Sequence, residues 1–262
     1  MSGNALQGKV AVVTASTRGL GRGVIEAFLA EGARVVVSGR SHESGEKALA
    51  DLAVGDRAIE VPCDARDRAQ VEALIDAAVA HFGQLDVLVN SAGGSDGFAL
   101  VHEMAPEAWA NAMDFILNSA FWATRRALQA MIRQGSGRII NISSVEGKIG
   151  NKPNIAHYIT AKHGLNGLTK AVAHEYGRQG ITCNAICPGA METAAFVENG
   201  HAYAEEAGIS YEDFKAIYAN ESAIGRLNAV EEVSALCVLL AGPVGGGFNG
   251  ALINVDGGTS PW

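Results

Sequence analysis

The stretch Lys9–Glu31, KVAVVTASTRGLGRGVIEAFLAE, joins an apolar, β-branched run to a glycine turn and a helical pattern. The run Lys9–Thr14 is typical of a strand buried on both faces. The turn leads into the predicted helix Gly21–Glu31, whose first N–H groups have no partner within the helix. Those groups and the positive end of the helix dipole attract a pyrophosphate. Because a strand and a helix flank the glycines, we interpret the turn as a dinucleotide-binding unit; an ordinary glycine-containing βα turn is the alternative.

Short apolar runs alternate with longer stretches of helical periodicity along the rest of the chain. The predicted strands are Lys9–Thr14, Arg34–Ser38, Ala58–Pro62, Leu85–Asn90, Arg138–Ser143, Ile181–Ile186 and Ala251–Val255. The predicted helices are Gly21–Glu31, Arg68–His81, Glu107–Gln134, Tyr158–Gly180 and Val230–Leu240. Strands that are apolar throughout belong to a parallel sheet, and their alternation with helices gives right-handed crossovers. We therefore predict an α/β fold with a doubly wound, seven-stranded parallel sheet and helices on both faces.

No linker, repeat or low-complexity tract divides the chain of 262 residues, so we predict a single domain over residues 1–262. One irregular region, Ala194–Asn228, separates the sixth and seventh predicted strands. Within it, Tyr211, Phe214 and Tyr218 would share one helical face. An insertion at the carboxyl edge of a doubly wound sheet lies where ligands bind. We interpret residues 194–228 as a substrate lid.

Composition and charge argue against several classes of protein. The net charge is −8 and no dense run of Lys or Arg is present, which disfavours a nucleic-acid or anionic-membrane surface. Met1–Gly8 lacks the features of a signal peptide, and no apolar stretch approaches the ~20 residues that cross a bilayer. The cysteines are scattered and the histidines show no metal-ligand spacing. We therefore expect buried thiols, no metal site and a cytoplasmic location.

The end of the second predicted strand bears on the choice of cofactor. Gly39 lies 18 residues beyond Gly21, where an NAD-binding chain usually carries an acidic residue for the ribose 2′-hydroxyl. No carboxylate is present there; Arg40 follows, and Arg18 lies in the glycine turn. Two guanidinium groups suit a 2′-phosphate, which they bind bidentately. We therefore favour NADP(H) over NAD(H), with two solvated surface arginines as the alternative.

A second constellation begins where the fifth predicted strand ends. Ser144 follows that strand, and Tyr158 lies fourteen residues further on, at the start of a helical stretch. Lys162 follows four positions later, so the two side chains project from one helical face. A tyrosine titrates near ~10, and we expect Lys162 together with a positive nicotinamide ring to lower the pKa of Tyr158. Ser144 would hold the substrate oxygen while Tyr158 acts as general acid/base.

These motifs occur in the order found in the short-chain dehydrogenase/reductase (SDR) superfamily, which the chain resembles over nearly its entire length. Thr14–Gly21 (TASTRGLG) resembles the family's glycine turn, and Asn90–Gly93 (NSAG) its N-N-A-G element. Pro188–Thr193 (PGAMET) resembles the segment around the nicotinamide, and Asn254–Gly258 (NVDGG) the closing strand and turn. Cys63-Asp64 resembles the pair that contributes an adenine-contacting aspartate. The resemblance implies a Rossmann-type fold and hydride transfer between NADP(H) and a ketone or secondary alcohol.

The resemblance also assigns residues to the site. Asn118 matches the family's asparagine and would complete a catalytic tetrad with Ser144, Tyr158 and Lys162. In that role it holds a water that links Lys162 to solvent. The predicted cofactor contacts are Ser16, Thr17, Arg18, Gly19, Leu20, Gly21, Arg40, Asp64, Ala65, Asn90, Ala92, Gly93, Tyr158, Lys162, Pro188, Gly189, Met191 and Thr193.

In this family, helices that correspond to Glu107–Gln134 and Tyr158–Gly180 commonly pair across a two-fold axis. The first of them carries an apolar stripe that includes Trp109 and Phe121. We therefore expect a homodimer or homotetramer.

Three departures from the family pattern bear on the interpretation. Ala15 replaces the first glycine of the turn, and Ser91 replaces the second asparagine of N-N-A-G. The interval from the serine to the tyrosine of the tetrad is one residue longer than usual, with Lys152-Pro153 at the expected bulge. None of these changes removes a reacting group.

The predicted substrate contacts are Gly94, Ser95, Glu146 and Phe196. The acidic Glu146 and the aromatic side chains of the lid indicate neutral, fairly apolar ketones or secondary alcohols rather than small anionic acids. An NAD(H)-dependent secondary-alcohol or diol dehydrogenase is the nearest alternative, since Arg40 could stack on adenine without meeting a phosphate. A non-catalytic dinucleotide sensor on the same fold is a remote alternative, and the presence of all four tetrad residues argues against it.

Overall fold

The computed structural model describes residues 4–260, in which the strands form a single parallel sheet in the order β3-β2-β1-β4-β5-β6-β7. The strands are β1 Val10–Val13, β2 Arg34–Gly39, β3 Ala58–Pro62, β4 Val87–Asn90, β5 Gly137–Ile142, β6 Ile181–Pro188 and β7 Leu252–Val255. The predicted α/β class and the seven-stranded parallel sheet are confirmed, and each strand ends within two residues of its predicted bounds. The first three and last two residues of the predicted 1–262 domain lie outside the described range.

Helices cover both faces of the sheet, because successive residues of a strand point to opposite sides. The helices are α1 Gly19–Ala30, α2 His42–Leu52, α3 Arg68–Phe82, α4 Pro106–Ala112, α5 Ser119–Gln134, α6 Ala156–Tyr176, α7 Ala194–Ala207, α8 Tyr211–Glu221 and α9 Val230–Ala241. Ala11 and Val13 of β1 belong to the apolar layer under α1, α2 and α9, whereas Val12 belongs to the layer under α3, α5 and α6. Burial of each Val, Leu or Ile contributes about 1.5–3 kcal/mol, so the apolar strands hold both layers in place.

The sequence pattern does not predict α2, and the reason lies in how this helix packs. Its sequence, HESGEKALADL, is mostly polar, and the helix buries only Gly45 and Ala48. A Cβ at Gly45 would overlap the side chain of Glu60, so the missing side chain lets α2 approach β3 closely. The helix therefore docks by close backbone approach and lacks the apolar stripe that periodicity detects.

The predicted continuous helix Glu107–Gln134 changes its hydrogen-bonding pattern partway along. α4 passes into a π-helical segment, Met113–Asn118, before α5 continues. Asn118 is the last residue of this segment. Segments of π-helix occur frequently at functional sites, and apolar periodicity does not reveal them.

The expectation of an irregular region at 194–228 is wrong, since most of it forms α7 and α8. Thr193 caps α7 by accepting from the Phe196 amide, and Ser210 caps α8 by accepting from the Asp213 amide. An aromatic cluster joins the two helices, and Phe214, 6% exposed, is its centre. The cluster consists of Phe196, Tyr203, Tyr211, Phe214 and Tyr218.

Two further findings concern the part of the chain that the structure describes. No helix there has both the length and the apolar character needed to span a membrane. Among the same residues, no group of three or more His, Cys, Asp or Glu side chains could hold a metal ion.

Candidate active site

A cleft of about 560 Å³ runs along the carboxyl edge of the sheet. Its lining comes from one strand end after another, including Ala15 after β1, Arg40 after β2, Ser91 after β4 and Ser144 after β5. Ligands of doubly wound sheets bind at this edge, and the volume is within the range of small-molecule sites. The cleft is therefore the candidate active site.

The glycine turn between β1 and α1 forms one wall of the cleft. α1 begins at Gly19, and its N-cap residue Arg18 makes no side-chain cap, so the first N–H groups of the helix stay open to a ligand. A Cβ at Gly21 would lie 2.6 Å from the carbonyl oxygen of Ala15, which requires glycine there. Ala15 itself adopts the left-handed conformation, with φ +52°. Such a conformation costs an L-residue about 1–2 kcal/mol, so the turn is shaped for a pyrophosphate at some cost in strain.

All but four of the predicted cofactor contacts line the cleft; the exceptions are Ser16, Asp64, Asn90 and Ala92. Ser16 is fully buried, and its Oγ accepts from the Ser38 amide at 2.9 Å. Asn90 donates from Nδ2 to Oδ1 of Asn141 at 2.8 Å, linking β4 to β5. These two side chains therefore support the wall of the cleft from behind.

Three arginines lie at the outer end of the cleft, and the sequence predicts only two of them. Arg18 and Arg40 line it as predicted, and the residues described give the Arg40 guanidinium no hydrogen-bond or ion-pair partner. Arg66 also lines the cleft, and its guanidinium donates to both carboxylate oxygens of Asp64 at 3.1 and 3.0 Å. These hydrogen bonds lower the pKa of the Asp64 carboxyl below its usual value. The predicted adenine contact is thus already held by an arginine two positions further on, at the end of β3.

The predicted reacting groups meet where β5 ends. Ser144 and Tyr158 line the cleft, and the Ser144 hydroxyl accepts from the Glu146 amide at 3.1 Å. Lys162 lies one turn after Tyr158 in α6, with its Nζ 5.6 Å from the centre of the phenol ring. The same Nζ donates to the Ile142 carbonyl at 2.7 Å. A tyrosine, a serine and a buried ammonium group therefore share one wall, opposite the glycine turn.

Lys162 has room at this point because Gly93 carries no side chain. A Cβ at Gly93 would lie 3.1 Å from Nζ of Lys162. Lys162 is 3% exposed, and burial lowers the pKa of its amine to about 8. The side chain can therefore exchange its proton near neutral pH, which an exposed lysine cannot.

The pKa of Tyr158 does not move in the direction expected from the sequence. Burial raises it, the nearby Ser144 hydroxyl lowers it, and the carboxylate of Glu146 raises it further. Loss of hydration disfavours the phenolate, and Lys162 directs its ammonium group to a backbone carbonyl. The expectation that Lys162 lowers this pKa is therefore not met by the chain alone, and the phenol stays protonated at neutral pH.

Asn118, the fourth predicted tetrad residue, lies behind the cleft rather than in its lining. Its Nδ2 donates to Oδ1 of Asp114 at 2.6 Å, across the π-helical segment. Ile116 of the same segment packs with Leu165 of α6, in an apolar cluster against which Tyr158 is placed. The structure thus brings the segment of Asn118 against the helix that carries Tyr158 and Lys162.

The predicted substrate contacts divide into two pairs. Gly94 and Ser95 line the cleft, and Phe115 and Asp96, which the sequence does not predict, lie beside them. Phe196 packs instead in the aromatic cluster of α7 and α8, and Glu146 is buried, at 5% exposed. Neither side chain lines the cleft.

A doubly wound sheet with a glycine turn facing a Tyr/Lys pair defines a class of dinucleotide-dependent oxidoreductases. The family model "short chain dehydrogenase" matches residues 9–204, and the chain belongs to the short-chain dehydrogenase/reductase family. It is 36% identical to D-beta-hydroxybutyrate dehydrogenase of Cupriavidus necator over 97% of this chain and 98% of that protein. It is 35% identical to 3beta-hydroxysteroid dehydrogenase 2 of Eggerthella lenta, over 98% of this chain and 96% of the relative.

Among solved structures, the chain is similar to a variant of actinorhodin polyketide ketoreductase crystallised with NADPH. The TM-score is 0.91 at 35% sequence identity, and the match covers 97% of this chain and 98% of the ketoreductase. The predicted family, the Rossmann-type fold and the class of enzyme, an oxidoreductase, are confirmed by these matches.

Proposed function

We propose that the protein reduces a neutral ketone with NADPH, or oxidises the matching secondary alcohol with NADP⁺, and that Tyr158 is the general acid/base. The observation that carries the proposal is the placement of Ser144, Tyr158 and Lys162 on one wall of a cleft whose other wall is a phosphate-binding turn. The bound dinucleotide supplies the hydride at its nicotinamide ring.

The chain's own groups account for the proton. The Ser144 hydroxyl accepts from the amide of Glu146 and also lies within hydrogen-bond reach of the Tyr158 phenol, so its hydrogen can turn from Tyr158 to a substrate oxygen that binds between the two. Tyr158 is protonated at neutral pH, since burial raises the pKa of its phenol, so it can give its proton to that oxygen in the direction of reduction. Lys162, with a pKa of about 8, can replace the proton, and Asn118 would hold the water that connects it to solvent.

The outer end of the cleft supports NADP(H). No carboxylate ends β2, and Arg18, Arg40 and Arg66 lie where the adenosine would bind. Guanidinium groups suit a phosphate dianion. The ketoreductase that resembles this chain was crystallised with NADPH. An NAD(H)-dependent alcohol or diol dehydrogenase is the second candidate, favoured by the engagement of Arg66 with Asp64, which leaves only part of this charge for a phosphate.

The lid proposal rests on two contacts between α8 and the catalytic side of the cleft. Lys215 of α8 pairs with Glu192, in the segment predicted to surround the nicotinamide, at 2.6 Å. Glu221 at the other end of α8 pairs with Lys152, in the loop before Tyr158, at 2.8 Å. Partly exposed ion pairs of this kind contribute about 1 kcal/mol or less each, so these two resist a movement of α8 only weakly.

Self-association is proposed on the exposed apolar residues of α4 and α5. Trp109 is 41% exposed and Phe121 is 47% exposed. A homodimer or homotetramer would cover both, and light scattering on the purified protein measures the mass directly.

The decisive experiment measures turnover of the Tyr158→Phe variant on a panel of neutral ketones. We expect kcat to fall by about 10²–10⁴-fold, the usual contribution of a general acid, while the Kd for NADPH stays unchanged. Tyr176→Phe, at the far end of α6, is the matched control and should behave as wild type. Equal turnover by wild type and Tyr158→Phe would refute the acid/base role. If the wild type binds NADPH but turns over no carbonyl or alcohol, the sensor alternative is correct.

A further inference from the structure

Glu146 is a carboxylate buried without a partner beside the reacting groups. It is 5% exposed, and among the described residues no donor meets hydrogen-bond geometry at either carboxylate oxygen, although the amide of Asn151 lies close enough to lower the pKa of the carboxyl. Burying such a group unpaired costs several kcal/mol. Because this cost is not recovered within the chain, the position points to a group that arrives from outside.

The surroundings of Glu146 place it between the reacting residues and the lid. Its own amide donates to Ser144 Oγ, so its backbone adjoins the hydroxyl proposed to bind the substrate oxygen. Its carboxylate lies close enough to raise the pKa of Tyr158 on one side and of Tyr218 in α8 on the other. A ligand with its oxygen at Ser144 and Tyr158 would therefore extend past Glu146 before it meets α8.

Lys152 lies close to both Glu146 and α8. Its ammonium group pairs with Glu221 of α8 at 2.8 Å and lies 4.1 Å from the ring centre of Tyr218. Burial raises the pKa of Glu146, the charge of Lys152 and the backbone amide of Asn151 lower it, and the charge of Glu221 raises it. The exposed side chain of His163 contributes a further lowering. Lys152 therefore pairs with α8, and its ammonium group makes no hydrogen bond to Glu146.

We propose that Glu146 binds a hydroxyl group that the substrate carries near its carbonyl, so that the substrate is a hydroxyketone and the product a diol. Two free carboxylate oxygens accept hydrogen bonds and donate none when ionised, so the partner must be a donor. A carboxylate is repelled by Glu146 and Glu221, and an ammonium group is the other donor, which the test below distinguishes from a hydroxyl. This inference rests on the proposed carbonyl reduction and names its substrate class.

The test is a cycle of two substrates and two enzymes. Butan-2-one and 1-hydroxybutan-2-one differ only in the hydroxyl, and Glu146→Met removes the acceptor at similar volume. The ratio of kcat/KM for the two ketones is compared between wild type and variant, so that the intrinsic reactivity of each ketone cancels. We expect the ratio to fall by about 10–100-fold in the variant, the usual effect of leaving one donor without its charged acceptor. Turnover of butan-2-one reports any effect of the variant on Tyr158, whose pKa Glu146 raises, and this effect cancels in the ratio.

Glu146→Gln is a second variant, which keeps the size of the side chain and one acceptor oxygen. Its ratio of kcat/KM for the two ketones should lie between the ratios of wild type and Glu146→Met. Glu205→Gln, an exposed carboxylate of α7, is the charge control and should leave the ratio unchanged. 1-(Dimethylamino)propan-2-one tests the ammonium alternative. If Glu146→Met lowers kcat/KM for this amine relative to butan-2-one, but does not lower it for the hydroxyketone, the proposal is overturned.

The outcomes separate the two levels of the argument. If wild type reduces both ketones and Glu146→Met or Glu146→Gln slows both equally, Glu146 does not recognise the hydroxyl, and the proposed function stands. If wild type binds NADPH but reduces no ketone of the panel, the proposed function fails and this inference fails with it.

Discussion

Arg18 of the glycine turn and Glu198 of α7 form an ion pair, with Nη1 of the arginine 3.3 Å from Oε1 and 3.4 Å from Oε2 of the glutamate. Both side chains are more than half exposed, at 61% and 62%, so the pair contributes at most about 1 kcal/mol. It nevertheless joins the glycine turn to α7. A 2′-phosphate that binds Arg18 would compete with Glu198 for the same guanidinium.

Removal of Glu198 should therefore strengthen NADP⁺ binding. In Glu198→Gln we expect the Kd for NADP⁺ to fall by about 2–5-fold, corresponding to the loss of one exposed ion pair. The Kd for NAD⁺, which has no 2′-phosphate, should stay the same. Titration by protein fluorescence measures both constants, with Glu206→Gln as an exposed control. Weaker NADP⁺ binding in Glu198→Gln would show that Glu198 supports the cofactor rather than competing with it.

Arg40 should determine whether the protein prefers NADP⁺ or NAD⁺. It lines the cleft with no partner among residues 4–260, so its charge is available to a ligand. Arg40→Ala should raise the Kd for NADP⁺ by about 10–100-fold, since charge-assisted hydrogen bonds contribute about 1.5–3 kcal/mol. The same variant should bind NAD⁺ nearly as wild type does, and Arg133→Ala on the far side of α5 is the control. A wild type that binds NAD⁺ more tightly than NADP⁺ would overturn the cofactor assignment.

Lys162 should make folding stability depend on pH in a known direction. Its pKa is lowered from 10.5 to about 8 in the folded protein, so the folded state loses its proton before the unfolded state does. Unfolding free energy therefore rises with pH between about 8 and 10.5, and the penalty of burying the charge is fully present below pH 8.

Lys162→Met isolates this effect from the other groups that titrate at alkaline pH. The stability of wild type relative to Lys162→Met should increase by on the order of 3 kcal/mol across the window, at 1.36 kcal/mol for each pKa unit. Urea unfolding at several pH values measures it. A difference that stays constant from pH 7 to 10.5 would show that Lys162 is charged in the folded protein throughout.

Ala15 should respond favourably to replacement by glycine. Its φ of +52° is left-handed, and glycine adopts that conformation without the steric cost. Ala15→Gly should therefore gain about 0.5–1 kcal/mol, because relief of the strain exceeds the added entropy of the unfolded chain. Gly21→Ala is the contrasting change, and it should lower both stability and cofactor affinity because its Cβ would lie 2.6 Å from the Ala15 carbonyl. Thermal unfolding with and without NADPH compares the two variants.

The parts of the fold that could be predicted are those that depend on neighbours along the chain. Buried strands such as VAVV appear in the sequence as continuous apolar runs, and the helix after the glycine turn appears as an apolar periodicity. The sheet and most helices therefore follow from the sequence. α2 does not follow from the sequence, because it packs against β3 through the missing side chain of Gly45 and has no apolar stripe. α7 and α8 follow from the sequence only in part, since they bury few side chains, around Phe214, and leave other apolar side chains such as Tyr203 and Ile217 exposed.

The predicted site shows the same division. Tyr158 and Lys162 are one helical turn apart, so their common direction follows from helix geometry alone. The change in the pKa of Tyr158 could not be predicted, because burial by residues distant in sequence raises it, while the ammonium group of Lys162 is directed to the Ile142 carbonyl. Arg66 could have been found from its position two residues after Asp64, at the same edge of the sheet.

The sequence by itself determined the parallel sheet, the glycine turn and the residues able to do the chemistry, because each depends on spacing along a strand, a turn or a helix. Only the tertiary structure decided which charges meet. Arg18 and Glu198 are 180 positions apart, and Lys152, in the loop before α6, pairs with Glu221 of α8. These contacts depend on how crossovers fold the chain back on itself, which no local pattern encodes. The same folding buries Glu146 without a partner, and that feature carries the proposal about the substrate.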